Sequence, residues 1–455
     1  MWLVAAALLP FAAASKAPAP PSPTAEWATL DARLEQWLGK VLLAVPSKKQ
    51  FSTVGALAKF CQANEPDNDP QCAAHALRHL ALIERDIHHR DAAVFVRGLL
   101  AWNQRGTAAQ IHSQLIKFGD KSALTQASVL LAQYDIARQR WQEAVGAAAA
   151  GDTAGGQEEM SRLRFLHGVA LQELRKHRAA LTQYAKVTRT SPHYRQAQLN
   201  MAIANIRQDW WTDGHAIITE LLGDPHQATD AAFNDRLNTV LGFSLMRQQY
   251  YRSARDAFRN VGLDGPYTNK ALLGILLSAM HQQDYVGALN AAKSLNRTAV
   301  RDLPADEAPL LLGYIYERLQ QPATAMAAYS EAVDYYGKRV AALTAAQLDA
   351  SVIRANLQAG DVVFTLAETR FELEDVLPAA VFSNVRLLDR YRPRVAGLNN
   401  RALEAEYRVL DEAYAKLLRA AMQQVVAQRV SYLNHYMSQA RFGLAAVHEQ
   451  AGAAP

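Results

Sequence analysis

Residues 241–258 read Leu241-Gly242-Phe243-Ser244-Leu245-Met246-Arg247-Gln248-Gln249-Tyr250-Tyr251-Arg252-Ser253-Ala254-Arg255-Asp256-Ala257-Phe258. Two amphipathic helical segments meet here at a polar turn. The first carries a small residue, Gly242; the second carries Ala254 twelve positions later and Phe258 sixteen positions later. Pro266 follows at offset 24, and proline cannot continue a helix. Gly168, Ala180, Tyr184 and Pro192 stand at the same offsets, and so do Gly313, Ala325 and Tyr329, with Gly337 in the proline place. Each position has a physical role. The glycine lets the second helix press on the first, the alanine faces it, and the aromatic fills the gap to the next pair. Three co-registered copies of four positions are too many for coincidental spacing in a helical bundle.

These residues resemble the tetratricopeptide repeat, and degenerate copies extend the likeness over about half the chain. Leu276, Tyr285 and Ala288 mark a unit 34 residues after Gly242; Ala204 with Ala216 fits one before it; Ala132, Trp141 and Ala144 fit one before Gly168. That makes about six units between residues 121 and 342. The resemblance implies an all-α, right-handed α-solenoid in which the first helix of each pair lines a concave groove. Counted from the glycine, groove positions fall on Phe165, Val169 and Gln172; Thr239, Phe243, Met246 and Arg247; Leu273, Leu277 and His281; and Leu310, Tyr314, Glu317 and Arg318. The apolar and aromatic middle of that set suits an amphipathic helix of a partner protein, or else the chain's own C-terminal helices laid in the groove. Val169, Phe243 and Tyr314 stand where some relatives carry an Asn that clamps acidic tails, so that mode is not matched.

Outside the repeats, residues 26–120 read as helices with weaker repeat character. From 343 to 455 the period changes. Leu403, Tyr407, Leu410, Tyr414, Leu417 and Ala421 form one heptad seam, and Val426, Val430, Leu433, Met437, Ala440, Leu444 and Val447 form a second. One helix over about 400–450 is the simplest reading, with the patterns at 351–374 and 378–391 as its packing partners. It serves either as a cap on the last face of the solenoid or as a coiled-coil arm for a homodimer. The cap is the better match, because the phase step from Ala421 to Val426 suits unequal neighbours.

The start of the chain speaks to compartment. Residues 1–15 are uncharged and mostly apolar and end in Ala12-Ala13-Ala14, which reads as a secretory signal peptide over 1–17, although no Lys or Arg precedes it. A Pro-rich tether follows over 18–25. The expectation is export to the periplasm of a bacterial cell envelope, with peripheral association with envelope complexes. Cys61 and Cys72 flank the turn-rich segment 64–70; in an exported chain they would form a disulfide, and in a reducing cytosol two buried thiols.

Composition narrows the chemistry. With 48 basic and 43 acidic residues among 455, the net charge of +5 is slight and gathers in no block, which argues against a nucleic-acid partner. No nucleophile elbow, phosphate loop or His-Glu-x-x-His helix is present, so the reading holds no catalytic residue, no cofactor and no metal. His75, His79, His88 and His89 cluster in one helical stretch but are interleaved with Arg78, Arg85 and Arg90, and read as a solvated polar face. The function expected is a non-catalytic scaffold or adaptor that binds partner proteins of an envelope assembly or secretion complex. The alternative is a polysaccharide- or peptidoglycan-binding module that stacks sugars on Trp210 and Trp211.

Overall fold

A computed structural model describes residues 23–47, 49–64, 69–152, 155–224, 230–358 and 360–452. The expected signal peptide and most of the tether lie outside the described residues. The chain opens with α1 (Pro23–Ala44), α2 (Val54–Ala63), α3 (Gln71–Arg78), α4 (Leu80–Arg85), α5 (Ala93–Ala101) and α6 (Arg105–Phe118). Six antiparallel pairs follow: α7 (Lys121–Ala137) with α8 (Trp141–Gly151), α9 (Gln157–Glu173) with α10 (His177–Tyr184), α11 (Tyr194–Arg207) with α12 (Trp211–Gly223), α13 (Ala231–Arg247) with α14 (Tyr251–Arg259), α15 (Thr268–His281) with α16 (Tyr285–Asn296), and α17 (Leu303–Arg318) with α18 (Pro322–Ala345). Last come α19 (Ala350–Gln358), β1 (Val363–Leu366), β2 (Thr369–Glu372), α20 (Ala379–Gly397) and α21 (Arg401–Gly452). Among the described residues no helix is long and apolar enough to cross a membrane.

The repeat contacts are those the spacing requires. A Cβ added at Gly168 would stand 2.4 Å from the Tyr184 ring, at Gly242 2.6 Å from Phe258, and at Gly313 2.4 Å from Tyr329. Only glycine permits this approach, and the three rings are almost wholly buried, as are Ala180, Ala254 and Ala325. Each aromatic contributes roughly 2–3 kcal/mol by that burial. Pro192 and Pro266 lie in the loops before α11 and α15, whereas Gly337 lies inside α18, which runs on to Ala345 because no proline stops it.

A second signature recurs at the turn between the two helices of a pair. Asn103, Gln139, Arg175, Asp209, Gln249, Gln283 and Gln320 all have φ between 56° and 64°. The amide of the next residue donates to the carbonyl five residues back, at 2.8–3.0 Å in all seven turns. This is the left-handed helix ending usually given to glycine. It shows that α5 and α6 form a further pair with the same turn. It also corrects one register: the unit of α11 and α12 places small residues at Ala202 and Gly214, not Ala204 and Ala216, and Ala216 is exposed. The step from Asp209 to Gln249 is 40 residues against 34 from Gln249 to Gln283. The extra length falls in the helices, α12 and α13 being four and three residues longer than α14 and α15, and blurred the period.

The carboxy-terminal third ties the array together. The first seam of α21 packs on α1, α19 and α20, where the Trp37 indole Nε1 donates to the Leu403 carbonyl at 3.1 Å. The second seam lies on α17 and α18, with Arg429 Nη1 2.9 Å from Asp306 Oδ2. A Cβ at Gly443 would meet the Tyr329 ring at 2.5 Å, as one at Gly274 of α15 would meet Phe258 at 2.4 Å. The end of α21 therefore takes the place of the first helix of a further repeat. Leu403, Leu410, Tyr414, Leu417, Leu433, Ala440 and Val447 are all buried within this chain. The seams are consumed intramolecularly, so the coiled-coil homodimer reading does not stand. The pattern at 351–374 is helical only as far as Gln358; its second half is a β-hairpin with Ala367 and Glu368 both at positive φ and Phe364 stacked on Phe371 at 5.0 Å. β-branched and aromatic residues on alternate positions favour a strand there over a helix.

Candidate protein-binding cleft

Counting the repeat positions back through the turn register puts Gln126, Val129 and Gln133 of α7, and Ala93 and Arg97 of α5, in the same place as Arg162, Phe165 and Val169 of α9. Of these concave positions Ala93, Arg97, Gln126, Val129, Gln133 and Arg162 form one wall of a cleft of about 1210 Å³, and Ser383, Asn384, Arg386, Leu387 and Arg390 of α20 form the opposite wall. The chain's own helix thus lies along the amino-terminal half of the groove without filling it. Gln126, Gln133, Arg97, Ser383, Arg386 and Arg390 are exposed toward this space. Glu158, Glu159 and Asp91 add negative charge at its rim.

A buried ionic network makes the floor. The Arg138 guanidinium lies 3.5 Å above the centre of the Tyr134 ring, with Nε 3.2 Å from Asp31 Oδ2. Asp31 also accepts from Arg140 at 2.8 Å and from the Asn384 amide at 2.8 Å. Asn384 accepts from Arg138 at 3.2 Å and donates to the Tyr414 hydroxyl at 3.0 Å. The side chains of Asp31 and Arg138 are 2% and 6% exposed. Burial pushes the Tyr134 and Tyr414 hydroxyls far above the ordinary phenol range, so both act only as neutral hydrogen-bonding groups. The network joins α1, the α5–α6 turn, α7, α20 and α21, and so fixes α20 against the concave wall. Paired buried charges of this kind hold a geometry more than they add net stability.

The groove positions expected from the sequence divide. Thr239, Met246, Leu273 and Leu277 are buried in the packing between repeats and line no open surface. Their helices sit closely enough that neighbouring pairs cover them, and the Thr239 hydroxyl donates to the Asp235 carbonyl at 2.7 Å. Phe165, Val169, Phe243, Leu310 and Tyr314 are half-buried, with Phe165 stacked on His193 at 5.4 Å and Phe243 against Phe258 at 4.9 Å. Arg247 and Arg318 are exposed; Arg247 pairs with Asp209, and Arg318 donates to the Tyr314 hydroxyl at 2.9 Å. None of them borders the cleft. The cleft residues were missed because Ala132, a weak marker, carries the repeat there. Counting one and six residues either side of it would have reached Gln133 and Gln126.

Two smaller expectations divide. Cys61 and Cys72 are joined in a disulfide, with Cα atoms 4.9 Å apart. The histidine stretch is not a solvated face throughout: His75 is fully buried, 2.9 Å from the Ser47 hydroxyl and edge-on to Phe51 and Phe60. Desolvation lowers its pKa, helped by His79 and Arg78. Among the described residues no group of three or more His, Cys, Asp or Glu is placed to hold a metal ion.

Stacked antiparallel pairs with glycine–aromatic locks and a concave wall define a tetratricopeptide-like helical-repeat architecture. No family model and no curated protein matches the sequence. Among solved structures, the crystal structure of the apo form of RapI is similar over 87% of this chain and 98% of that one, at 10% identity and a TM-score of 0.44. The crystal structure of the APC/C hetero-tetramer Cut9–Hcn1 is similar over 68% of this chain and 63% of that one, at 13% identity and a TM-score of 0.33.

Proposed function

We propose that this chain is a non-catalytic scaffold that holds a segment of a partner protein in the cleft between α20 and the concave wall of α5, α7 and α9. The observation that carries this is the cleft itself, about 1210 Å³ bounded by equivalent positions of three successive units. Its exposed lining of Arg and Gln favours an extended polar segment with acidic side chains over the amphipathic helix expected from the sequence, since the apolar positions are spent on packing between repeats. Polar side chains and backbone amides of such a segment match the carboxamides of Gln126 and Gln133, and the Arg386 guanidinium donates to a carboxylate with fork geometry.

We further propose export to a bacterial cell envelope, with the partner belonging to an envelope assembly or secretion complex. The apolar opening residues and the Cys61–Cys72 disulfide support it, because disulfides persist in oxidising compartments. The test is site-specific photo-cross-linking of the full chain in envelope fractions. A cross-linker at Gln126 or Gln133 is expected to give a discrete adduct, while one at Glu220 on α12 gives none. Arg386→Glu should abolish the adducts with helicity unchanged. Equal labelling from Glu220, or no adduct at either cleft position, refutes the cleft.

A further inference from the structure

The turns between paired helices all project from one edge of the array, and from α11 to α16 that edge is aromatic. Trp210 caps α12 and Trp211 begins it; Tyr250 and Tyr251 take the same two places at α14. Trp210 is 39% exposed and Tyr250 50%. The rings are held in place by their neighbours. Trp211 lies 5.7 Å from Tyr250 and 5.4 Å from His215, and Tyr251 stacks on His281 at 4.4 Å with planes 3° apart. Arg178 of the preceding pair sits 5.6 Å from the Trp210 ring.

Charge and shape select the ligand class. Along these turns charges of both signs are balanced: Arg207, Arg247, Arg252 and Arg255 stand among Asp209, Asp213, Asp256 and Asp284, with Arg247 paired to Asp209 and Arg255 to Asp284 at 2.8 Å. Burial lowers the pKa of His215 and His281, so both rings are uncharged at neutral pH. The edge is thus close to electrically neutral, which disfavours nucleic acid and acidic polymers. Between the rings stand carboxamides, Gln249 and Gln283, exposed at successive turns. Flat aromatic faces alternating with hydroxyl-matching amides and paired carboxylates suit a chain of pyranose rings, which offers C–H faces and equatorial hydroxyls in alternation. An amphipathic helix would need a continuous aliphatic strip, whereas among the described residues the exposed large hydrophobics of these turns are Trp210, Tyr250 and Val286, two of the three aromatic. Rings already fixed by stacking lose little freedom on binding.

We infer that the turn edge spanning Trp210 to Tyr251 binds a neutral polysaccharide chain by stacking, a site separate from the cleft. A scaffold with both surfaces would hold its protein partner against a glycan. The test uses the full chain with cellohexaose, laminarihexaose and chitohexaose, read by tryptophan fluorescence and calorimetry. At least one is expected to bind, with affinity falling about tenfold in Trp210→Ala and in Tyr250→Ala, and staying within about threefold in Trp210→Phe. Gln133→Trp, which blocks the cleft, should leave glycan binding unchanged. Binding of none of the three, binding that survives the Trp210→Ala, Tyr250→Ala double substitution, or a response only to an anionic polymer such as polygalacturonate overturns the inference.

Discussion

Gly443 and Gly337 both lie inside long helices, yet alanine should act on them in opposite directions. Helix propensity alone favours alanine by roughly 0.5–1 kcal/mol at either site. At Gly337 a Cβ meets nothing within 4 Å, so that gain is expected in full. At Gly443 it would stand 2.5 Å from the Tyr329 ring. The ring cannot retreat, because its other face lies against Gly313, where a Cβ would come within 2.4 Å, and its hydroxyl is tied to Glu317 at 3.2 Å. Overpacking a fixed contact costs about 1–3 kcal/mol. The net for Gly443→Ala is about 1 kcal/mol of destabilisation, and the two variants should differ by about 2 kcal/mol, near thirtyfold in an opening equilibrium. Global melting is a poor gauge, since a long repeat array does not unfold in two states. Hydrogen exchange over α18 and α21 reads the local opening instead. Faster exchange in Gly443→Ala and slower exchange in Gly337→Ala are expected. Equal protection in both would refute the seating of α21 as the next helix of the array.

Other perturbations follow from the same contacts. Asp31→Ala leaves Arg138 buried without its carboxylate and should cost about 3–5 kcal/mol, seen as a lower urea midpoint and exposure of α20 to protease. His112 is buried against the Ser128 hydroxyl at 2.7 Å, and desolvation, with a smaller push from Arg105, lowers its pKa to about 4. Its neutral form is the one the fold accepts, so its contribution is complete above the unfolded value near 6.5 and is lost as pH falls toward 4. About 3 kcal/mol should go over that window, and His112→Gln should flatten that part of a stability–pH curve. Burial alone raises Glu307 to about 7, which gives the opposite slope: the fold is favoured at low pH and loses stability as pH rises from the unfolded carboxylate value through 7. Glu307→Gln should therefore stabilise the chain at pH 8 and do little at pH 4. At Gln283, φ is 60°, a conformation glycine adopts without strain. Gln283→Gly should slow hydrogen exchange around the α15–α16 turn, a local gain of about 0.5 kcal/mol after its greater unfolded-state entropy is offset.

The repeated glycine, alanine and aromatic offsets determined the solenoid, because a ring wedged against a Cβ-free backbone is a contact between residues near in sequence and visible as spacing. The same locality made the long last helix legible from its unbroken seams. What the seams faced was decided only by the fold. Leu403 and Leu433 read alike, yet one meets α1 and the other the last repeat, hundreds and about a hundred residues away respectively. The cleft was equally hidden, since its two walls come from α5–α9 and α20 and meet through Asp31, Arg138 and Asn384, three residues that no local pattern links. Sequence periodicity reports which face of a helix is apolar; which neighbour covers that face, and which polar positions are left open, depends on contacts between segments far apart in the chain.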